Sequence, residues 1–183
     1  MKETIVSPEG IRERIWMELR RAALDRHHEW RTPALVTAGL DGTPDARTVV
    51  LRSADIASSC LRFFTDARSK KIAQLAAQPK ATLLFWSTRL NWQLRMRVNI
   101  TTLTNGPEVE AAWERAKQTA AAGDYTSALV PGQKRLTSVA APASALQKHH
   151  LAILYRDTHR IFMTSFITQI GLHSELSTSL SPL

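Results

Sequence analysis

The chain has 183 residues, 44% hydrophobic and 22% charged, with a formal net charge of +8. That is enough apolar material for a buried core, at a charge fraction too ordinary for a disordered chain. One cysteine, Cys60, excludes an internal disulfide and any multi-cysteine metal centre. No apolar run approaches the roughly 20 residues of a transmembrane helix, and the amino-terminal stretch lacks the apolar segment of a secretory signal, so a cytoplasmic protein is expected.

The positive excess is local. Residues 41–100 carry ten Lys/Arg against four Asp/Glu, while residues 1–31 and residues 101–183 each carry seven against six. A local excess points to an anionic partner, either a phosphate or a nucleic-acid backbone. A plain solvated basic face is the competing reading.

In chain order, Ser7-Pro8-Glu9 reads as a helix start: a capping hydroxyl, a proline at the first helical position and an acid in the first turn. Ile11, Ile15, Leu19 and Ala22 then recur at helical spacing, predicting a helix over 8–27. Its arginines alternate with acids and read as a salt-bridged surface, with His27-His28 as a solvated helix end. Residues 33–40 read as a strand, Asp41-Gly42-Thr43-Pro44 as a turn, and 46–53 as the returning strand. A third strand is expected over 61–65, a short helix over 67–77 stopped by Pro79, and a fourth strand over 81–86. A fifth strand over 92–103 places Gln93, Arg95, Arg97 and Asn99 on one face and Leu94, Met96, Val98 and Ile100 on the other. Asn105-Gly106-Pro107 starts a helix ended by Gly123. Residues 126–147 are irregular, 151–155 and 161–168 read as a final hairpin around Asp157-Thr158-His159, and a loosely held tail follows over 169–183.

The expected architecture is therefore mainly β with flanking helices: six or seven antiparallel strands, closely spaced as in a barrel. One domain is expected over 1–183, with the helix at 8–27 and the barrel at 32–168.

Three groups of residues point to chemistry. Thr65 ends a strand, and Arg68, Ser69, Lys70 and Lys71 open the helix after it. Cations are disfavoured at a helix N-terminus unless an anion meets them there, and a phosphate is the anion such a terminus favours. Arg47 and Arg52 bracket a strand at an odd spacing, so in a regular strand they point to opposite faces; arginine suits bidentate phosphate contact. Gln93 offers a neutral amide beside Arg95 and Arg97. Together with the apolar runs, this is what a flat, phosphorylated ligand needs: an apolar wall and cations. Trp86 and Trp92 read as core or interface aromatics. No Ser-His-Asp or HExxH arrangement joins the six histidines, so any redox reactivity has to come from a cofactor, and no metal site is expected.

The runs Arg47-Thr48-Val49-Val50-Leu51-Arg52, Phe64-Thr65-Asp66-Ala67-Arg68-Ser69-Lys70-Lys71 and Leu83-Leu84-Phe85 leading to Trp92-Gln93-Leu94 occur in that order. They resemble the Arg-x-Val-Leu-Leu-Lys, Tyr-Thr-Asn…Ser-Arg-Lys and Leu-Leu-Phe…Arg-Gln-Val motifs of the pyridoxamine 5′-phosphate oxidase-like family, over residues 10–105. The resemblance implies an FMN-binding split barrel that forms a homodimer, with FMN at the subunit interface. It implies that Arg47 and Arg52 contact the phosphate or ribityl chain, and that Ser69, Lys70 and Lys71 hold the phosphate. Thr48, Val49, Val50, Leu51, Phe64 and Thr65 are implied as backbone and apolar contacts, and Gln93 as a contact to the ring edge from its own or the partner subunit.

Three departures separate the chain from the family's oxidases. Arg52 stands where the motif has lysine. The Tyr/Arg/Ser set for the vitamin B6 substrate is not clearly reproduced in Ala111-Ala112-Trp113-Glu114-Arg115-Ala116-Lys117. The C-terminal Arg-x-His-x-Arg motif is reduced to the histidine of Gly171-Leu172-His173-Ser174-Glu175. The resemblance thus implies an FMN-dependent oxidoreductase on an unidentified small molecule, with an eroded B6 site. A non-catalytic module holding FMN or haem, as sensor or carrier, is the alternative. A nucleic-acid-binding role is disfavoured, because the positive charge sits at strand ends beside apolar runs.

Overall fold

The computed structural model describes residues 7–127, 130–132, 149–156, 162–169 and 172–179. Helix α1 spans Pro8–Leu24; the Ser7 hydroxyl accepts from the Gly10 amide at 3.1 Å, and Pro8 occupies the first turn. It ends before residue 27, because a 3₁₀ turn over Glu29–Arg31 follows and buries Trp30 completely. His28 is not a solvated helix end. It is buried with Nε2 2.9 Å from Glu18, a carboxylate that is itself fully enclosed.

The strands are β1 (Ala34–Ala38), β2 (Pro44–Thr48), β3 (Val50–Asp55), β4 (Cys60–Asp66), β5 (Lys80–Ser87), β6 (Trp92–Leu103), β7 (Leu151–Arg156), β8 (Phe162–Gln169) and β9 (Leu172–Ser179). Helix α2 (Lys70–Ala77) joins β4 to β5, and α3 (Pro107–Ala116) and α4 (Ala122–Thr126) lie between β6 and β7. Gly123 lies inside α4 and does not end the preceding helix. Seven strands run in the order β2-β1-β5-β6-β7-β4-β3, with β8 added on β6 and β9 on β8, every pair antiparallel.

The predicted strand over 46–53 is two strands. The chain breaks at Val49, whose amide donates to Pro33 O at 3.0 Å and whose side chain is buried. One residue thus separates β2 from β3, the two ends of the seven-strand path. The covalent chain holds those ends together, and the sheet curls into a split barrel. Strand β6 is the hinge of the split: one of its edges pairs β5 over residues 92–99, while the other pairs β8 over residues 93–97 and β7 over residues 100–103.

The predicted hairpin over 151–168 does not form as such. Strand β7 pairs β4 and β6, whereas β8 pairs β6 and β9; the expected turn at 157–159 lies outside the described residues, as does most of 126–147. Residues 172–179, expected in a loose tail, form β9, which brings the strands among the described residues to nine. The core follows the alternation of β7. Leu154 packs with Trp16, Trp30, Leu51, Phe63 and Phe85 between α1 and the sheet, while Leu151 and Ile153 pack on the other face with Val109, Ala112 and Tyr125. Each large side chain fully enclosed there contributes about 1.5–3 kcal/mol. Among the described residues no helix is long and apolar enough to cross a membrane.

Candidate functional site

Two cation-bearing sites flank β4. The first gathers at the start of α2. Arg47, on β2, donates from Nη1 to the Thr37 hydroxyl at 2.6 Å and from Nη2 to Gln74 Oε1 at 2.7 Å, and pairs with Asp45 at 2.6 Å. Gln74 is buried on α2 and donates its amide to Asp45 at 2.7 Å, so it locks both partners. Lys71, one turn earlier, donates to the Thr65 hydroxyl at 2.9 Å. Burial is the main reason its ammonium is held below the usual lysine range, and the Arg47 charge adds to it against weaker pulls from Asp66 and Asp45.

Ser69 occupies the capping position of α2 without capping it. Its hydroxyl instead donates to the Asp66 carbonyl at 2.7 Å and lies 3.4 Å from the Thr65 hydroxyl. Two cations, two hydroxyls and an uncapped helix start therefore converge beside Thr65. Lys70 is exposed, and its charge reaches Asp45. Arg68, which the sequence adds to this basic run, is turned away: it pairs with Asp66 through Nε at 3.1 Å and Nη2 at 2.7 Å, and donates to Ser127 O at 2.8 Å.

The second site is a cleft of about 720 Å³ entered by Arg52. The β3–β4 register shifts between Leu51 and Ser53, leaving Arg52 as the extra residue of a β-bulge. Neighbours in a regular strand face opposite sides; a bulge re-aims one of them, and Arg52 and Ser53 both line the cleft. The Arg52 guanidinium carbon sits 5.6 Å from the Phe64 ring centroid, and its buried Nε has no hydrogen-bond partner among the described residues. Tyr125 lies against it: burial pushes the phenol up, and the Arg52 charge and hydrogen bond pull it back. Phe64 and Ile153 give the cleft apolar wall; Arg31, Arg62, Arg115 and Thr119 join Arg52 as polar lining.

The fold thus divides the expected residues. Arg47, Thr65, Ser69 and Lys71 come together. Arg52 and Phe64 share the cleft. Val49 and Leu51 are buried in the core, which closes their side chains to a ligand, while Val50 is half-buried and paired with Phe64, and Thr48 is exposed. Gln93 lies on β6 opposite Trp86, and no hydrogen bond links it to the Arg47–Lys71 group among the described residues. Arg31, Arg115 and Thr119 escape the sequence reading. For the last two a signal existed: residues 111, 115 and 119 fall four apart and line one cleft, an i, i+4 row that α3 begins.

A family model described as "Pyridoxamine 5'-phosphate oxidase, FMN-binding domain" matches residues 13–104. The chain belongs to that family. Its FMN-binding domain family has curated relatives among the pyridoxine/pyridoxamine 5′-phosphate oxidases. The chain is 39% identical to that of Anaeromyxobacter dehalogenans over 93 residues, 51% of this chain and 44% of that protein. It is 47% identical to that of Thermosynechococcus vestitus over 66 residues, 36% of this chain and 30% of that protein. The matches span less than half the length of these relatives.

Among solved structures, a pyridoxamine 5′-phosphate oxidase-related, FMN-binding protein of Nostoc punctiforme superposes with a TM-score of 0.62 at 19% identity, covering 98% of this chain and 100% of that one. PhzG of Burkholderia lata, solved with tetrahydrophenazine-1-carboxylic acid, superposes with a TM-score of 0.60 at 16% identity, covering 98% and 95%. At these identities the superpositions carry the fold. FMN is the family's cofactor, and the donor set at α2 fits its phosphate: a half-buried lysine with one hydroxyl acceptor, a second cation beside it, and a helix start left uncapped by its own serine.

Proposed function

We propose that this protein is an FMN-dependent oxidoreductase acting on a small anionic molecule held in the Arg52 cleft, with residues 1–183 working as one domain. In this reading Lys71, Thr65 and Ser69 receive the FMN phosphate at the start of α2, with Lys70 adding charge from outside. Arg47 is held by Thr37, Gln74 and Asp45, which leaves Nε for the ligand and sets the field that Lys71 feels. The backbone of residues 48–51, with Val50 and Phe64, faces the ring, and Gln93 supplies its amide to the ring edge in a homodimer, from its own or the partner subunit. Bound FMN supplies two-electron chemistry; the chain binds, orients and excludes water. A cytoplasmic location belongs to the same proposal.

The cleft also shapes the substrate reading. Arg115 and Thr119 give an arginine and a hydroxyl to the cleft of Arg52, and Ala111 lines it beside them without an aromatic hydroxyl. This supports the reading of an eroded B6 site and of another small molecule as substrate.

The observation that carries this reading is the meeting of Lys71, Arg47, Thr65 and Ser69 at an uncapped helix start. It is tested by the absorbance spectrum of the purified protein and by FMN titration of the flavin-free form. Lys71→Ala removes a charge-assisted hydrogen bond, so FMN affinity falls roughly 30-fold, about 2 kcal/mol. Flavin-free protein with no FMN affinity overturns the reading. FMN bound with no turnover under any reductant leaves the non-catalytic carrier.

A further inference from the structure

Arg31 belongs to none of the motifs through which the chain resembles its family, yet it lines the same cleft as Arg52. Its position is built. Nη1 donates to the carbonyls of Ala22 at 3.1 Å and Ala23 at 2.7 Å, two of the last carbonyls of α1, which have no partner inside the helix. The 3₁₀ turn that carries it is pinned by buried Trp30 and by the Glu29 carboxylate, which accepts from the amides of Thr88 and Arg89 at 3.1 Å each. Nη2 and Nε of Arg31 make no hydrogen bond among the described residues.

The four arginines of the cleft are unequally answered. Arg62 has a carboxylate, Glu108, at 3.7 Å. Arg31, Arg52 and Arg115 have none within ion-pair distance among the described residues. Arg31 and Arg52 also feel each other. Burial first and the Arg52 charge second disfavour the charged form of Arg31, against a smaller pull from Asp25. A guanidinium does not shed its proton to relieve this; an anion placed between the two does. One carboxylate has two oxygens and satisfies one guanidinium fork, whereas a doubly charged group presents enough oxygens for two.

We propose that Arg31 and Arg52 together clamp a doubly charged acidic group of the substrate, a phosphate monoester or a pair of neighbouring carboxylates, and that Arg31 is the residue that selects it over a singly charged one. The apolar body of the substrate lies against Phe64 and Ile153. This inference rests on the reading of the cleft as the substrate's, and it adds a specificity residue supplied by the turn after α1.

The test is calorimetric titration of the FMN-saturated protein at fixed salt with benzoate, phenyl phosphate and phthalate. Wild-type protein binds at least one of the two dianions about tenfold tighter than benzoate. Arg31→Gln abolishes that preference, leaves benzoate within about twofold, and leaves FMN affinity unchanged. If Arg31→Gln melts early because α1 loses its donor, Arg31→Lys carries the test: it keeps the charge, loses the fork, and retains only part of the preference. Phenyl phosphate ahead of phthalate assigns the phosphate ester; the reverse assigns the dicarboxylate. Benzoate bound as tightly as both dianions, no binding of any of the three, or a full preference surviving in a folded Arg31 variant overturns the clamp. A protein that takes up no FMN overturns the function proposed above, and the same titrations on the flavin-free protein then decide the clamp on their own.

Discussion

Two charge clusters sit on either side of the 3₁₀ turn, and they are built oppositely. On one side Glu18 is a fully enclosed carboxylate met by four partners: Arg14 at 3.1 Å, Arg21 at 3.5 Å, His28 at 2.9 Å and Arg89 at 3.1 Å. On the other side Arg31, Arg52 and Arg115 line a cleft in which Glu108 is the only acid among the described residues. In the first cluster every cation reaches one carboxylate of the protein itself; the cluster ties α1 to the turn between β5 and β6 and so fixes the base on which Arg31 stands. The second is left open. A buried carboxylate met by its own cations is costly to strip of one partner, while a group of unanswered cations stores repulsion that a ligand relieves. The difference separates scaffold from site more sharply than charge count does, since both clusters are rich in arginine.

The largest effect expected from breaking this contrast is on the closed side. Glu18→Ala strands His28 and Arg89 around a buried hole, and removing one partner of a buried ionic network costs about 3 kcal/mol. Urea unfolding of the flavin-free protein measures it. Burial raises the Glu18 pKa, but the His28 hydrogen bond and the three arginines outweigh it and hold the carboxyl below its usual range. Its stabilisation is therefore complete above the ordinary carboxylate range and is lost as pH falls through the lowered folded value. The wild-type unfolding midpoint drops in that acid window, and the variant's drops less. If the midpoint of Glu18→Ala equals that of wild type at neutral pH, the cluster is not the scaffold described here.

An effect of middle size is expected at the start of α2, outside both clusters. Lys71 must be protonated to meet a phosphate, and its pKa is held down by burial and by Arg47. FMN affinity should therefore fall with rising pH before the ordinary lysine range of about 10.4 is reached. The sign for stability is the reverse. Flavin-free protein gains stability as pH rises between the lowered folded value and the unfolded one, because the unfolded chain holds the extra proton there. Lys71→Arg, which keeps its charge, removes the pH dependence of FMN affinity in that window. A fall of the same size in Lys71→Arg and in wild type would place the titrating group elsewhere.

Much of this was legible in the sequence, and the parts that were not share a cause. The strand over 61–65, the apolar spacing of α2 before Pro79 and the long alternating β6 announce themselves through periodicity and a stop signal, which are local. The break at Val49 is not local: it depends on a bond to Pro33 and on two sheet ends meeting, so eight residues of strand pattern read as one element. The bulge at Arg52 hides in the same way, because an extra residue in one strand shows only when its partner is known. Arg68 looked like a phosphate ligand by composition, and it is consumed by Asp66, two residues away. His28 looked solvated because its partner, Glu18, lies ten residues earlier on a helix face that reads as surface. Arg31 carried no signal at all; its role comes from the C-terminus of α1 and from a cleft whose other walls lie far along the chain.

The smallest effect tests the boundary between the two clusters. Arg62 lines the open cleft, yet its carboxylate Glu108 stands 3.7 Å away and both side chains are about half exposed, 47% and 60%. A solvent-exposed pair contributes about 0–1 kcal/mol, so Arg62→Ala changes the unfolding midpoint little and FMN affinity not at all. Its charge is already answered, so its loss weakens phenyl phosphate binding by no more than about threefold, well below the loss expected for Arg31→Gln, and that loss shrinks as salt is raised. The argument turns on whether a guanidinium lining the cleft already has a carboxylate beside it. Equal losses from Arg62→Ala and Arg31→Gln would mean that the cleft attracts anions by summed charge alone, and the distinction between answered and unanswered arginines would no longer mark the site.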